Sequence, residues 1–134
     1  MKAIICILVA LAAMAAGCKK DASGPVDTSV DIRILNATPW TFFDCRADPT
    51  GISAAGGGSN EHNYGQVNVD AYSAYHTFPQ AYPYASIRLT MNNQQYILQP
   101  IDFVGEKLLA KGRYTFKITY AFGSDRLNLE LIKE

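Results

Sequence analysis

Alternation of apolar and polar side chains recurs along most of this chain and constrains its fold more than any other feature. The segments VDIRIL (30–35), YASIRLTM (84–91) and RYTFKITY (113–120) all have a period of two. Successive side chains of a β-strand point to opposite faces of the sheet, so this period predicts half-buried strands. In the clearest of them, the apolar face consists of Tyr114, Phe116, Ile118 and Tyr120.

Further strand-like segments are separated by turn residues at intervals of about 8–12 residues, which is typical of sandwiches. They are WTFFDC (40–45), a short strand within NYGQVNVD (63–70), AYSAYHTF (71–78), QYILQ (95–99) and LNLELI (127–132). The NNQ sequence predicts a turn that pairs 84–91 with 95–99. We therefore expect an all-β domain over residues 30–134, an antiparallel β-sandwich of about seven strands.

Two connecting segments carry separate expectations. Residues 46–63 are rich in Gly and Ser and predict a long loop. EKLLA (106–110) predicts one helical turn at most.

A short motif refines the expected fold. Leu109, Gly112 and Tyr114 form an L-x-x-G-x-Y pattern. It resembles the tyrosine corner of Greek-key, immunoglobulin-like sandwiches, in which the tyrosine hydroxyl bonds to backbone a few residues upstream. The resemblance concerns architecture and says nothing about activity.

The N-terminal segment has the composition of a secretory signal peptide. Lys2 precedes an apolar run over residues 3–16, and Ala15, Ala16 and Gly17 are small. The run is shorter than the ~20 residues that a transmembrane helix needs. Residues 1–17 are therefore predicted to be a signal peptide, although an uncleaved anchor is the alternative.

Ala-Ala-Gly-Cys at 15–18 resembles a bacterial lipobox, with Ala15 where a larger aliphatic residue is usual. The resemblance implies that Cys18 receives a diacylglyceryl group and becomes the first residue of the mature protein. Residues 18–29 are polar and lack hydrophobic periodicity, so they predict a flexible tether. A plain signal peptide with an incidental Cys18 remains the alternative.

The residues after Cys18 are similar to the start of small envelope lipoproteins of the Bacteroidota. With Lys19 rather than Asp at the second position, the resemblance implies the outer membrane. Asp21 is the sole acidic residue among the first four, which leaves the periplasmic and surface faces both open.

Charge and cysteine content exclude some classes of function. The chain has 12 Lys and Arg against 12 Asp and Glu, and this balance argues against a nucleic-acid-binding protein. Of three cysteines, the lipobox resemblance implies that Cys6 leaves with the signal and that Cys18 is lipidated, which would leave Cys45 without a partner. Cys45 lies in a strand-like segment, so we expect a buried, inert thiol and no disulfide framework.

No catalytic or metal-binding motif stands out. His62 has Asp48 and Glu61 nearby in sequence, but this set lacks metal-ligand spacing. Asp102 and Glu106 are close in sequence, and in a hydrolase they would be the candidate pair of catalytic carboxylates. We therefore expect no enzyme activity and no cofactor.

Aromatic residues carry the one binding hypothesis. Trp40, Tyr82 and Tyr84 are candidates for an exposed surface that stacks on a sugar ring or on an apolar group of a partner. The sequence thus predicts a non-catalytic binding or structural module at the outer membrane, with an envelope protein or a glycan as partner. A surface glycan-binding protein is the alternative, and a hydrolase is less favoured.

Overall fold

The computed structural model describes residues 24, 26–52 and 60–134. The predicted signal peptide, Cys18, most of the predicted tether and residues 53–59 of the Gly-rich segment lie outside these residues. The described residues form no helix and therefore none that could cross a membrane. They form eight strands: β1 (Val30–Asn36), β2 (Phe42–Asp48), β3 (His62–Val67), β4 (His76–Phe78), β5 (Ser86–Met91), β6 (Gln94–Leu98), β7 (Gly112–Ala121) and β8 (Arg126–Lys133).

The strands make two sheets of four, in the orders β4-β1-β7-β8 and β3-β2-β5-β6. The prediction of an all-β sandwich is confirmed, with eight strands where about seven were expected, and the predicted antiparallel pairing holds with one exception. The exception to antiparallel pairing is β1 with β7, which run parallel from Val30↔Gly112 to Asn36↔Ile118. This pair lies in the middle of its sheet, so the first strand joins the sheet beside the seventh.

The core lies between the two sheets and is lined by the predicted apolar faces. In β1, the side chains of Val30, Ile32 and Ile34 are fully buried. In β5 and β7 the predicted apolar face is buried as well; the alternation is regular in β5, whereas in β7 Thr115 of the opposite face is also buried. The corresponding buried side chains there are Ile87, Leu89, Met91, Tyr114, Phe116 and Ile118.

The second strand differs from its prediction. It was expected over residues 40–45, but β2 begins at Phe42 and continues to Asp48, into the segment predicted as loop. Asp44 has φ 48°, and the pairing of β2 with β3 and β5 shifts around it, which marks a β-bulge. The bulge lets both Phe42 and Cys45 face the core, which strict alternation forbids, and so the strand extends farther than its pattern shows.

Two other expectations about connections are corrected. The loop predicted over 46–63 is shorter at both ends, because β3 begins at His62. The helical turn predicted over 106–110 is absent. The Leu109 N–H donates instead to the Ala81 carbonyl oxygen at 2.8 Å, and its side chain packs against the core, which holds the segment in an irregular conformation.

The hairpin predicted around NNQ is confirmed. Asn92 and Asn93 have φ of 49° and 59°, and Met91 pairs with Gln94. Two consecutive residues with positive φ give a two-residue hairpin turn whose twist matches the strands, and Asn tolerates that conformation better than most residues.

The strand directions give the molecule two distinct ends. At the near end, β1 begins at Val30, and the loops 79–85 and 99–111 lie there. At the far end, β1 finishes at Asn36, and the turns 37–41 and 122–125 lie there. Seven residues of strand separate the ends by about 20 Å, at ~3.3 Å per residue.

A buried amide organises the far end. The Asn36 side chain is fully buried, and its Nδ2 donates to the carbonyl oxygens of Trp40 and Val67 at 2.7 and 3.0 Å. Its Oδ1 accepts from both the N–H and the hydroxyl of Thr38, at 2.9 and 2.8 Å. The Asn36 side chain therefore forms hydrogen bonds with all of these groups, and it fixes the loop that carries Trp40 to β1 and β3.

Replacing this amide should be costly. We predict that Asn36→Ala lowers the free energy of unfolding by about 3 kcal/mol, because several buried polar partners of the amide lose their hydrogen bonds. Denaturant unfolding of the purified domain measures this change. Asn128→Ala, at an exposed position of β8, is the matched control and should change stability little. Equal effects of the two substitutions would contradict the role assigned to Asn36.

Candidate functional site

A group of partly exposed aromatic rings lies at the far end. We call Trp40, Tyr96, Tyr120 and Phe122 the far-end aromatic cluster. The Trp40 and Tyr120 rings meet edge to face, with centroids 5.3 Å apart, and Phe122 lies 5.9 Å from Trp40 and 5.0 Å from Tyr120. Tyr96 meets Tyr120 at 5.8 Å. The rings form one connected surface, because each contacts Tyr120.

Different elements bring these rings together. Trp40 comes from the β1–β2 loop that Asn36 holds, and Tyr120 lies near the end of β7. Tyr96 lies on β6 of the other sheet, and Phe122 begins the β7–β8 turn. Phe122 is 71% exposed, while the other three are partly buried against the core. The cluster therefore joins both sheets and presents one ring largely to solvent.

A carboxylate adjoins the rings. Asp125 lies in the β7–β8 turn with φ 52°, and both tyrosine hydroxyls of the cluster donate to its Oδ1, that of Tyr96 at 3.3 Å. The hydrogen bond to Asp125 raises the pKa of Tyr120 above its ordinary value. The Tyr120 hydroxyl thus remains a protonated donor, and the two hydrogen bonds hold the carboxylate at a fixed position beside the aromatic rings.

A groove continues from this carboxylate along the side of the sandwich where β6 and β8 are adjacent. Its volume is about 260 Å³. Both polar and apolar residues line it, and Ile97 among them is 63% exposed. The groove is lined by Tyr96, Ile97, Leu98, Gln99, Asp125, Arg126 and Leu127. Aromatic rings, a carboxylate and a guanidinium therefore meet at one surface, which can bind a ligand that has both an apolar face and hydroxyl groups.

The aromatic residues predicted to bind a ligand do not lie together. Trp40 belongs to the far-end aromatic cluster, whereas Tyr82 and Tyr84 lie between β4 and β5 at the near end. Tyr84 is 49% exposed, and Tyr82 is half-buried with its ring 4.7 Å from that of Phe103. The structure thus assembles a surface around Trp40 alone of the three.

The residues of the predicted tyrosine corner lie at the start of β7. The Tyr114 hydroxyl donates to the carbonyl oxygen of Ala110, four residues upstream, at 2.8 Å. Gly112 has φ 159°, which is nearly extended, and a Cβ at this position would lie 3.6 Å from the Tyr114 ring. Leu109 packs against the core. These contacts are structural and lie at the near end, away from the aromatic cluster.

Cys45 is the free cysteine of the described residues, and it is fully buried. Burial raises the pKa of its thiol to about 12, with a smaller contribution from the charge of Asp44. A thiol with such a pKa has almost no thiolate at neutral pH, so Cys45 is a packing residue and a poor nucleophile.

Among the described residues, neither the metal site considered around His62 nor the carboxylate site considered for a hydrolase is formed. Within the described residues no group of three or more His, Cys, Asp or Glu side chains is placed to hold a metal ion. Asp102 and Glu106 are both exposed on the 99–111 loop, where the Asp102 carboxylate accepts from the Val104 N–H at 3.1 Å. Neither residue lines the far-end groove.

The two histidines contact each other, which the sequence pattern did not show. His62 on β3 and His76 on β4 stack with ring centroids 3.6 Å apart and an interplanar angle of 6°. They join the edges of the two sheets on the side opposite the groove, with Tyr64 and Phe78 edge-on to them. Burial lowers the pKa of both, and the charge of His76 lowers that of His62 further.

This pair should make stability depend on pH. Both folded-state pKa values lie below the ordinary 6.5, so the unfolded chain binds more protons as pH falls below 6.5. We predict full stability above pH 6.5 and a decline below it, which levels off once pH is below the lowered values. Thermal unfolding between pH 7.5 and 5 measures this. A double variant, His62→Gln with His76→Gln, should flatten the curve in this range; an unchanged slope would contradict the assignment.

Comparison with known proteins adds little. No family model matches the chain, and no curated protein matches its sequence. It is similar to a solved structure described as the "NMR structure of the protein from Eubacterium rectale", at 10% sequence identity and a TM-score of 0.49. The match covers 83% of this chain and 93% of that one. Similarity of this degree does not identify a function.

Proposed function

We propose that this chain is a non-catalytic binding module of the bacterial envelope, held at the outer membrane by lipid on Cys18. One observation carries the proposal: the polypeptide enters the domain at the near end, and the aromatic surface lies at the far end. A domain anchored through its N-terminus would thus present Trp40, Phe122 and the adjoining groove away from the bilayer.

The anchor is supported by the sequence and by the way that the domain begins. Two or three acyl chains hold a protein on a membrane stably, since each buried CH₂ contributes about 0.8 kcal/mol. Downstream of Cys18, Thr28 donates to the Pro79 carbonyl oxygen at 2.7 Å and Asp27 pairs with Lys111. These contacts fix the direction in which the chain leaves the near end.

The finer classification of the sandwich as an immunoglobulin-like Greek key stays a prediction. The bond from the Tyr114 hydroxyl to Ala110 supports it. The parallel β1–β7 pair in the middle of a sheet is the feature that such a classification has to accommodate.

Processing can be measured directly. We predict that the protein extracted from bacterial membranes lacks residues 1–17 and carries diacylglyceryl and further acyl mass on Cys18. Intact-mass spectrometry tests this, and Cys18→Ser is the control, which should remain unlipidated. An unmodified chain that still begins at Met1 would overturn the anchor.

A glycan is the ligand class that the far-end geometry favours. The Phe122 ring is largely exposed and lies beside Trp40, so it can stack on the apolar face of a sugar. Asp125 and Arg126 in the adjoining groove can accept from and donate to sugar hydroxyls. A protein partner remains the other outcome, because aromatic residues and Arg also dominate protein interfaces.

Loss of the exposed ring should weaken binding without loss of fold. We predict that Phe122→Ala reduces binding of a soluble chain starting at Val26 to its ligand by about tenfold, which corresponds to roughly 1.4 kcal/mol. A glycan panel and a pull-down of envelope proteins identify the ligand, and titration gives the affinity. Tyr84→Ala, at an exposed aromatic of the near end, is the matched control and should bind normally. Equal weakening by both variants would contradict a far-end site.

A hydrolase is less well supported. Its carboxylate pair, Asp102 and Glu106, is exposed on a loop of the near end and lies outside the groove. A general acid needs a raised pKa, which enzymes usually obtain by burial or by a neighbouring charge.

A further inference from the structure

The 99–111 loop at the near end exposes aliphatic side chains to an unusual degree. Ile101 is 101% exposed and Val104 is 87% exposed, and Leu108 is 42% exposed. Single exposed apolar residues are common on protein surfaces, but several on one loop mark a place where another apolar phase is contacted.

Contacts with the rest of the domain and within the loop hold the 99–111 loop in place. The Phe103 ring packs on Tyr82, and the Glu106 N–H donates to the Phe103 carbonyl oxygen at 3.1 Å. Leu109 closes the loop through its bond to Ala81. Phe103 therefore faces the domain, while Ile101 and Val104, on either side of it, face outward.

The loop lies where the chain from Cys18 arrives. Gly112, directly after the loop, pairs with Val30, the first residue of β1. Lys111 pairs with Asp27, and Val26 beside it is 85% exposed. Seven residues lie between Cys18 and Val26, and the eight steps from one to the other span at most about 28 Å at ~3.5 Å per step. A lipid on Cys18 thus keeps the near end within one tether length of the bilayer.

We propose that the 99–111 loop inserts Ile101 and Val104 into the interfacial region of the bilayer, a membrane contact that rests on the proposed lipid anchor. The two side chains are too small to bind a membrane alone. With the domain already tethered, insertion becomes an intramolecular event that needs little further free energy.

The charges around the loop agree with shallow insertion. Asp102 and Glu106 share the loop with Lys107, and Lys111 pairs with Asp27, so both signs of charge are present. Zwitterionic head groups suit such a mixed set, and a strongly anionic surface is not required. The contact also fixes the orientation of the domain, with the far-end aromatic cluster directed away from the lipid.

Tryptophan quenching by brominated lipids tests the insertion, because Trp40 is the single tryptophan of the chain and lies at the far end. The full-length gene is expressed, the lipidated protein is extracted from membranes, and it is reconstituted into phosphatidylcholine vesicles with brominated acyl chains. The unaltered protein reports from Trp40. A Val104→Trp, Trp40→Phe variant reports from the loop.

We expect the loop tryptophan to be quenched severalfold more strongly than Trp40. Adding Ile101→Asp to the loop reporter should remove most of that quenching, since it places a charge at the inserted position. Ile101 and Val104 are exposed and Trp40 is partly buried, and thermal unfolding verifies that the variants fold. Intact mass of each sample reports lipidation independently.

The outcomes separate the two proposals. A lipidated protein whose loop tryptophan is quenched no more than Trp40 overturns the insertion and leaves the anchor standing. Quenching that Ile101→Asp does not change also overturns it. A protein whose mass shows no lipid overturns the anchor and, with it, the insertion.

Discussion

The parallel pairing of β1 with β7 is the constraint on which the rest of the structure depends. It places the first strand in the middle of a sheet, in register with β7 along all seven of its residues. Because β1 and β7 start at the same end, Val30 and Gly112 become neighbours there, and Asn36 and Ile118 become neighbours at the other end. The point where the chain enters and the turn that carries Phe122 are therefore kept apart by the length of the sheet.

The two open sides of the sandwich are joined by aromatic contacts between strands that do not share hydrogen bonds. On one side the stacked pair of His62 and His76 joins β3 to β4. On the other, Tyr96 of β6 meets Tyr120 of β7, and both hydroxyls bond to Asp125. The first contact is sensitive to protonation, whereas the second leaves a groove and an exposed ring. Because of this difference, we place the ligand surface at the contact between Tyr96 and Tyr120.

The strand content could be predicted from the sequence, because a strand with one buried face has to alternate. The strand β7 and the Asn92–Asn93 hairpin were predictable for this reason, as their pattern and turn residues are local. The bulge at Asp44 was not, since it depends on how β2 pairs with its two neighbours. For the same reason the candidate site was only partly predictable: Trp40 was identified, but its contact with Tyr120 depends on sheet order.

The proposed function requires the N-terminal tether and the aromatic surface to occupy opposite ends of the domain. A spin label on a Val26→Cys variant of the soluble chain tests it most directly, because Cys45 is buried and its raised pKa keeps it unlabelled. We expect strong broadening of the backbone amide signals of residues 101–108 and none for residues 120–125. Broadening of the 120–125 signals instead would contradict the account.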